Sequence, residues 1–262
     1  MKISVCIKQV PDTEARIKIG PDGRSIDETG VNLVVSPYDE YALEEALRLR
    51  EKHGGEVAVY SVGDDRAGTA LRTCLAMGAD RAVHLRDAAF QGSDGLGLSR
   101  ILAAALRPEK FDLILFGKQA VGTDRAQVGP RVAELLDLPH VSVVLALSVE
   151  GVSLRAEREI EGATEVVESP LPAVLTAQKG LNEPRYASLK GILAAKKKEI
   201  RVMGAAEIGL DPAMVGSAGA AEVWEKLELP PGRGAGKILK DMDPGSAAKE
   251  LARLLREEAK VI

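Results

Sequence analysis

Aromatic residues are scarce in this 262-residue chain: Phe, Trp and Tyr together make up 3%. The core must therefore be built from Ala, Val, Leu and Ile. Cys6 and Cys74 are its two cysteines, which excludes a disulfide scaffold and fits a reducing compartment. The three histidines, His53, His84 and His140, share no ligand spacing, and neither Cys-x-x-Cys nor His-Glu-x-x-His occurs, so no metal site is expected. Gly-x-Ser-x-Gly and the phosphate-binding loop ending in Gly-Lys-Ser/Thr are also missing, and no catalytic residue can be assigned. Neither sign of charge dominates, with 35 basic against 39 acidic side chains, which argues against nucleic acid as a partner. No apolar run reaches the roughly 20 residues that a membrane helix needs. The opening MKISVCIKQV reads as a first strand, not a signal peptide. A cytoplasmic location is expected.

The remaining composition is globular, with 45% hydrophobic and 28% charged residues. Short apolar runs at 2–7, 57–61, 82–85 and 112–116 alternate with segments of helical period at 36–53, 69–77, 94–106 and 126–136. Ser36-Pro37-Tyr38-Asp39 reads as a helix start, with Ser36 as N-cap and Pro37 in the first helical position. Gly54-Gly55 stops that helix. Alternating strands and helices predict an α/β fold: an open, mostly parallel sheet with helices on both faces. Residues 139–176 break the alternation with four strand-like runs joined by short Gly or Pro connections, which predicts an antiparallel extension. Residues 204–245 are rich in Gly, Ala and Pro, including Pro230-Pro231-Gly232-Arg233-Gly234, and have no sustained period. Two parts are therefore expected: an α/β domain over 1–203, and over 204–262 an extended arm closed by a helix at 246–259.

One segment looks like a binding site. The stretch from Gly117 to Gly129, GKQAVGTDRAQVG, directly follows the apolar run 112–116 and leads into a helix. In open α/β sheets ligands sit beyond the strand C-termini, where helix N-termini offer unpaired N–H groups to a phosphate. Position alone leaves this segment either a phosphate seat or a solvated connection. The strand ends at Ile7-Lys8-Gln9 and Ser61-Val62-Gly63, and the helix start at Ser36 to Asp39, should open onto the same crevice. Gly92-Ser93-Asp94-Gly95-Leu96-Gly97 is Gly-rich, but its spacing and place do not fit a dinucleotide fingerprint. A second unusual segment, 183–201, carries six Lys/Arg and two Glu, hence +4 against −4 for the whole chain. There Leu189, Ile192 and Leu193 lie close to Lys196, Lys197 and Lys198, an apolar anchor with flanking charge of the kind found in docking elements.

These segments together resemble the beta (small) subunit of electron-transfer flavoproteins over essentially the whole chain. The most specific parts are Val5-Cys-Ile-Lys-Gln-Val-Pro-Asp12, Ser36-Pro-Tyr-Asp39, Leu75-Ala-Met-Gly-Ala-Asp80 and Gly117-Lys-Gln-Ala120 through Ala126-Gln-Val-Gly129. Above all stand Leu171-Pro-Ala-Val174 and Leu181-Asn-Glu-Pro-Arg-Tyr-Ala-Ser-Leu189, running into Ala195-Lys-Lys-Lys198. The resemblance implies that residues 1–203 form an adenine-nucleotide-binding, Rossmann-like domain, in a heterodimer with an alpha subunit that holds most of an FAD, while this chain holds AMP. That nucleotide would meet Cys6, Lys8, Ser36, Pro37, Tyr38, Asp39, Val62, Gly117, Lys118, Gln119, Ala120, Val121, Gly122, Thr123, Asp124, Arg125, Ala126, Gln127 and Val128. Thr13 would lie near the partner's FAD. Leu189, with Lys196, Lys197 and Lys198 behind it, would dock acyl-CoA dehydrogenases, whose electrons pass on to a quinone-linked flavoprotein oxidoreductase. The arm and last helix would wrap the alpha subunit. An alternative is the electron-bifurcating branch, with a second FAD in place of AMP and NAD(H) reactivity. The chain shares Val10-Pro-Asp-Thr13 with that branch, but reads Gly122-Thr-Asp-Arg125 where Asp-Gly-Asp-Thr is usual there.

Overall fold

The strands expected to be apolar on both faces are so, and their side chains sort into two layers. In the computed structural model, which describes residues 1–232, 234 and 236–262, Ile3, Val5, Val57, Val59, Leu113 and Leu115 point into one buried cluster. Their neighbours Cys6, Ala58, Tyr60, Ile114 and Phe116 point into another. This follows from the two-residue period of a strand buried on both sides. Arg233, inside the Gly/Pro-rich run, lies outside the described residues.

The first half of the chain runs β1 (Lys2–Cys6), β2 (Gln9–Pro11), β3 (Lys18–Ile19), β4 (Ile26–Asp27), β5 (Leu33–Val35), α1 (Pro37–His53), β6 (Glu56–Val62), α2 (Ala67–Met77), β7 (Arg81–Leu85), α3 (Gly95–Leu106), β8 (Leu113–Gly117) and α4 (Val128–Leu136). It continues with β9 (His140–Glu150), β10 (Ser153–Ile160), β11 (Ala163–Pro170), β12 (Ala173–Ala177), α5 (Leu189–Lys197), β13 (Ile200–Met203), α6 (Gly216–Gly219) and α7 (Pro244–Glu257). Among the described residues, nine strands form one sheet in the order β11-β10-β9-β12-β8-β1-β6-β7-β13. Its pairs are parallel except β9 with β10 and β10 with β11. Helices α1 and α2 cover one face through Leu43, Leu47, Leu71 and Leu75. Helices α3 and α4 cover the other through Ile101, Leu102, Ala105, Val132 and Ala133. Each fully buried Leu contributes about 1.5–3 kcal/mol over its exposed state.

Two expectations are corrected here. Residues 173–177 are not part of the antiparallel extension: β12 lies between β8 and β9, parallel to both. Its five residues are all buried, as an interior strand of a parallel sheet requires. Segment 183–201 forms α5 and enters the edge strand β13. Residues beyond 203 do not leave the fold at once, because Ala205, Ile208 and Val215 are buried in the second cluster. The first compact unit accordingly runs from Met1 to Lys226, and a second spans Leu227–Ile262. In that second unit α7 is capped by Asp243, which accepts the N–H groups of Gly245 (3.0 Å) and Ser246 (3.1 Å). It buries no side chain.

Candidate functional site

Strand β1 has β6 on one side and β8 on the other, so the order of the sheet reverses between β1 and β8. Diverging connections at such a point leave a crevice beyond the strand C-termini. Asp39, in the first turn of α1, closes the base of it. One carboxylate oxygen accepts the N–H of Lys8 at 2.7 Å and the other that of Gly117 at 2.9 Å, so one buried side chain ties together the exits of β1 and β8. Gly117 is demanded by this approach: a Cβ there would lie 2.5 Å from Asp39 Oδ1 and 2.6 Å from Tyr38 backbone carbon. Ser36 stands at the N-cap as its sequence suggests, but its hydroxyl makes no capping bond. Its backbone N–H instead donates to the Lys8 carbonyl at 2.9 Å.

Above this brace lies a cavity of about 410 Å³. Its apolar walls are Ile7, Val62, Leu98, Leu102 and Phe116; its polar lining includes Lys8, Lys118, Gln119, Thr123, Arg125 and Gln127. The start of α3 (Asp94, Gly95) and the start of α4 (Gln127, Val128, Gly129) both line it. The first turn of α4 has no side-chain cap, so its free N–H groups and partial positive charge suit an anion, whereas α3 is already capped by the Asp94 carboxylate. The connecting loop holds its shape by local bonds: Asp124 N–H to the Ala120 carbonyl at 3.0 Å, and Gln119 Nε2 to Asp124 Oδ1 at 2.7 Å. Asp124 and Ala126 adopt left-handed backbone, at φ 48° and 50°, an arrangement that L residues favour little and that gathers at binding loops. The Lys118 ammonium lies 5.1 Å from the centre of the Tyr38 ring.

Burial raises the Asp39 carboxyl to about 7, against the two amide donors and Lys8, which favour its charged form. Loss of solvent around Lys8 lowers its ammonium, and the Asp39 charge opposes that. Burial also pushes the Cys6 thiol well up, so it stays protonated at neutral pH and lacks the thiolate that attack would need. The arrangement can hold a ligand with an apolar body and an anionic group. Among the lining residues no nucleophile is paired with a base.

Of the residues singled out in the sequence, Cys6, Lys8, Asp39, Val62, Gly117, Lys118, Gln119, Ala120, Thr123, Arg125, Ala126, Gln127 and Val128 line the cavity. Ser36, the N-cap of α1, and Pro37 and Tyr38 of its first turn are outside the lining, as are Val121, Gly122 and Asp124. Thr13 is exposed in a turn after β2, outside the cavity. The Gly-rich run that fits no dinucleotide fingerprint reaches the cavity all the same, since Gly92, Ser93, Asp94 and Gly95 line it. Spacing rules for a dinucleotide fingerprint concern the first βα turn, whereas this run enters through a later crossover. Glu222, Val223 and Trp224 were missed altogether; the one available signal was a lone Trp in a chain almost without aromatics.

The 183–201 segment forms a separate feature. Helix α5 starts at Leu189, capped by Ser188 Oγ accepting from Gly191 N–H at 3.0 Å. Leu189 is 75% exposed and Leu193 56%, so the helix presents apolar residues to solvent although it packs on α2. The preceding turn is fixed by Arg185, which forks onto the Glu44 carboxylate at 2.8 and 3.1 Å and also pairs with Glu51. Lys196 and Lys197 are exposed, whereas Lys198 donates to the Ala79 carbonyl at 2.6 Å.

A family model described as electron transfer flavoprotein domain matches residues 24–208. The chain is 42% identical over 265 residues to the electron transfer flavoprotein subunit beta of Bacillus subtilis, covering 100% of each. It is 39% identical to the caffeyl-CoA reductase-Etf complex subunit CarD of Acetobacterium woodii, covering 98% of this chain and 99% of the relative. To protein FixA of Azotobacter vinelandii it is 38% identical, covering 97% and 94%. With the crevice at the sheet's reversal point and this end-to-end match, the chain belongs to the electron transfer flavoprotein family, among its beta subunits.

Proposed function

We propose that the chain works as the beta half of a heterodimeric electron carrier, paired with an alpha subunit that holds most of an FAD, and that its own cavity holds an adenine mononucleotide, AMP. The observation that carries this reading is the cavity itself. Its apolar walls suit an adenine, the uncapped start of α4 with Lys118 suits a phosphate, and the Asp39 brace keeps the exits of β1 and β8 in place. A volume of about 410 Å³ is near the low end of the 300–1,000 Å³ usual for ligand sites, which favours a mononucleotide over a dinucleotide. The flavin would supply the redox chemistry. This chain would supply a nucleotide-filled scaffold and, through Leu189 on α5, an apolar anchor for acyl-CoA dehydrogenases that donate electrons bound for a quinone-linked oxidoreductase. An exposed Leu held by a buried-edge clamp, Arg185 on Glu44, supports that role, since a preorganised anchor loses little freedom on docking.

The second reading is a bifurcating flavoprotein with another FAD in this cavity and NAD(H) reactivity. The 39% identity to CarD, named as part of a reductase-Etf complex, favours it. Acid extraction of the co-purified pair decides: AMP with one FAD per pair is the expected result, and two FAD with NADH oxidation would replace it by the second reading. A pair that forms without any nucleotide would refute both.

A further inference from the structure

The segment 221–224 crosses the mouth of the cavity and is tied to both of its sides. Asp94 divides its carboxylate between two tasks: Oδ1 caps α3 by accepting the Gly97 N–H at 2.8 Å, and Oδ2 accepts the N–H groups of Ala221 at 2.8 Å and Glu222 at 3.3 Å. On the opposite side, Glu222 forms an ion pair with Arg125 of the 117–127 loop. The Arg125 guanidinium carbon also lies 4.9 Å from the centre of the Trp224 ring. Glu222, Val223 and Trp224 all line the cavity, and Trp224 remains 52% exposed, which puts the indole at the rim.

We infer that this strap, through Trp224 and Glu222, sets the length of the ligand: it admits an adenine mononucleotide and turns away an adenine dinucleotide. The inference rests on the nucleotide reading above. A ligand longer than the cavity has to continue through the mouth, and the strap fills the way out between the start of α3 and the loop. Charge acts in the same direction. A diphosphate brings additional negative charge to a rim where the nearest arginine is already neutralised by Glu222, and a carboxylate displaced from its partner repels it. The indole excludes by bulk and Glu222 by charge, so the two contributions are separable by substitution.

The test uses the full chain freed of bound nucleotide, with AMP and FAD as calorimetric probes on wild type, Glu222→Gln, Trp224→Ala and the double variant. Wild type should bind AMP more tightly than FAD. The double variant should raise FAD affinity relative to AMP by about tenfold or more. Glu222→Gln, which keeps the shape and removes the charge, should give part of that shift; it also carries the test should Trp224→Ala fail to fold. Equal weakening of both ligands would make the strap a general wall and overturn the inference, as would an unchanged ratio or a wild type that takes FAD as readily as AMP. AMP binding with an unchanged ratio sinks the strap alone. Failure of every protein to bind either probe overturns the nucleotide reading, and the inference with it.

Discussion

Gly117→Ala tests whether the meeting of α1 with β8 is as tight as its geometry implies. The added methyl would stand 2.5 Å from Asp39 Oδ1 and 2.6 Å from the backbone carbon of Tyr38, and backbone cannot rotate aside. Either α1 withdraws at its first turn or β8 bends. Overpacking of this kind costs about 1–3 kcal/mol. The 2.9 Å bond from Gly117 N–H to Asp39 lengthens as well, and a buried carboxylate short of one donor costs about 1–3 kcal/mol more. The sum, about 2–6 kcal/mol, is a large part of the roughly 5–15 kcal/mol that keeps a domain folded. In urea, at a slope of about 2–3 kcal/mol/M, the midpoint should fall by roughly 0.7–3 M. Gly122→Ala is the control. Its φ of 94° is left-handed, but no atom lies within 4 Å of the new methyl, so it should cost only about 1–2 kcal/mol of backbone strain. AMP affinity should drop in the first variant and hold in the second. Equal midpoints for the two variants would refute the argument that close approach, not backbone conformation, dictates Gly117.

Three other predictions follow from the same geometry. Asp39 has its folded value raised to about 7 from 3.8, so the folded state holds the proton more tightly than the unfolded one. Unfolding free energy should therefore fall as pH rises from about 4 through 7 and level off above, and Asp39→Asn should lack that slope; denaturation midpoints across this range check it, and a flat wild-type profile would refute it. Leu189→Ala should leave the melting temperature and flavin content of the pair intact, because the side chain is 75% exposed, yet slow electron entry from an acyl-CoA dehydrogenase in stopped-flow by about tenfold or more. Unchanged kinetics would remove the anchor role. Arg185→Lys replaces a fork on Glu44, whose side chain is 3% exposed, by a point charge; it should cost about 1–3 kcal/mol and speed amide exchange in residues 182–191. Unchanged exchange would show that the clamp does not hold the start of α5.

How much of this was readable beforehand depends on the range over which each signal acts. Strands β1, β6, β7 and β8 were found within a residue or so because apolar runs bounded by Gly and charge carry their own evidence. Helix α4 starts at Val128, which places Pro130 in its first turn, as its ring demands. The pairs β2–β5 and β3–β4 went unseen, for strands of two or three residues carry no period. The helix α5 was hidden by its run of charge and its scarcity of buried positions, Ala195 being the buried one. The site divides in the same way. The 117–128 loop announced itself by following a strand, whereas the Gly92–Gly95 turn and Trp224 reach the cavity from crossovers whose ends no local pattern reveals.

The sequence by itself determined the alternation of elements, the aliphatic core, the helix start at Ser36 and the apolar and basic run around Leu189, because these depend on near neighbours in the chain. Only the tertiary structure decided that β12 lies inside the sheet, that one carboxylate, Asp39, joins the exits of β1 and β8, and that residues 221–224 lie across the cavity's mouth. Each of these joins residues tens of positions apart or more. Such meetings are set by which strands come to lie side by side, and that is fixed by the packing of the whole sheet against its helices and by no short stretch of chain.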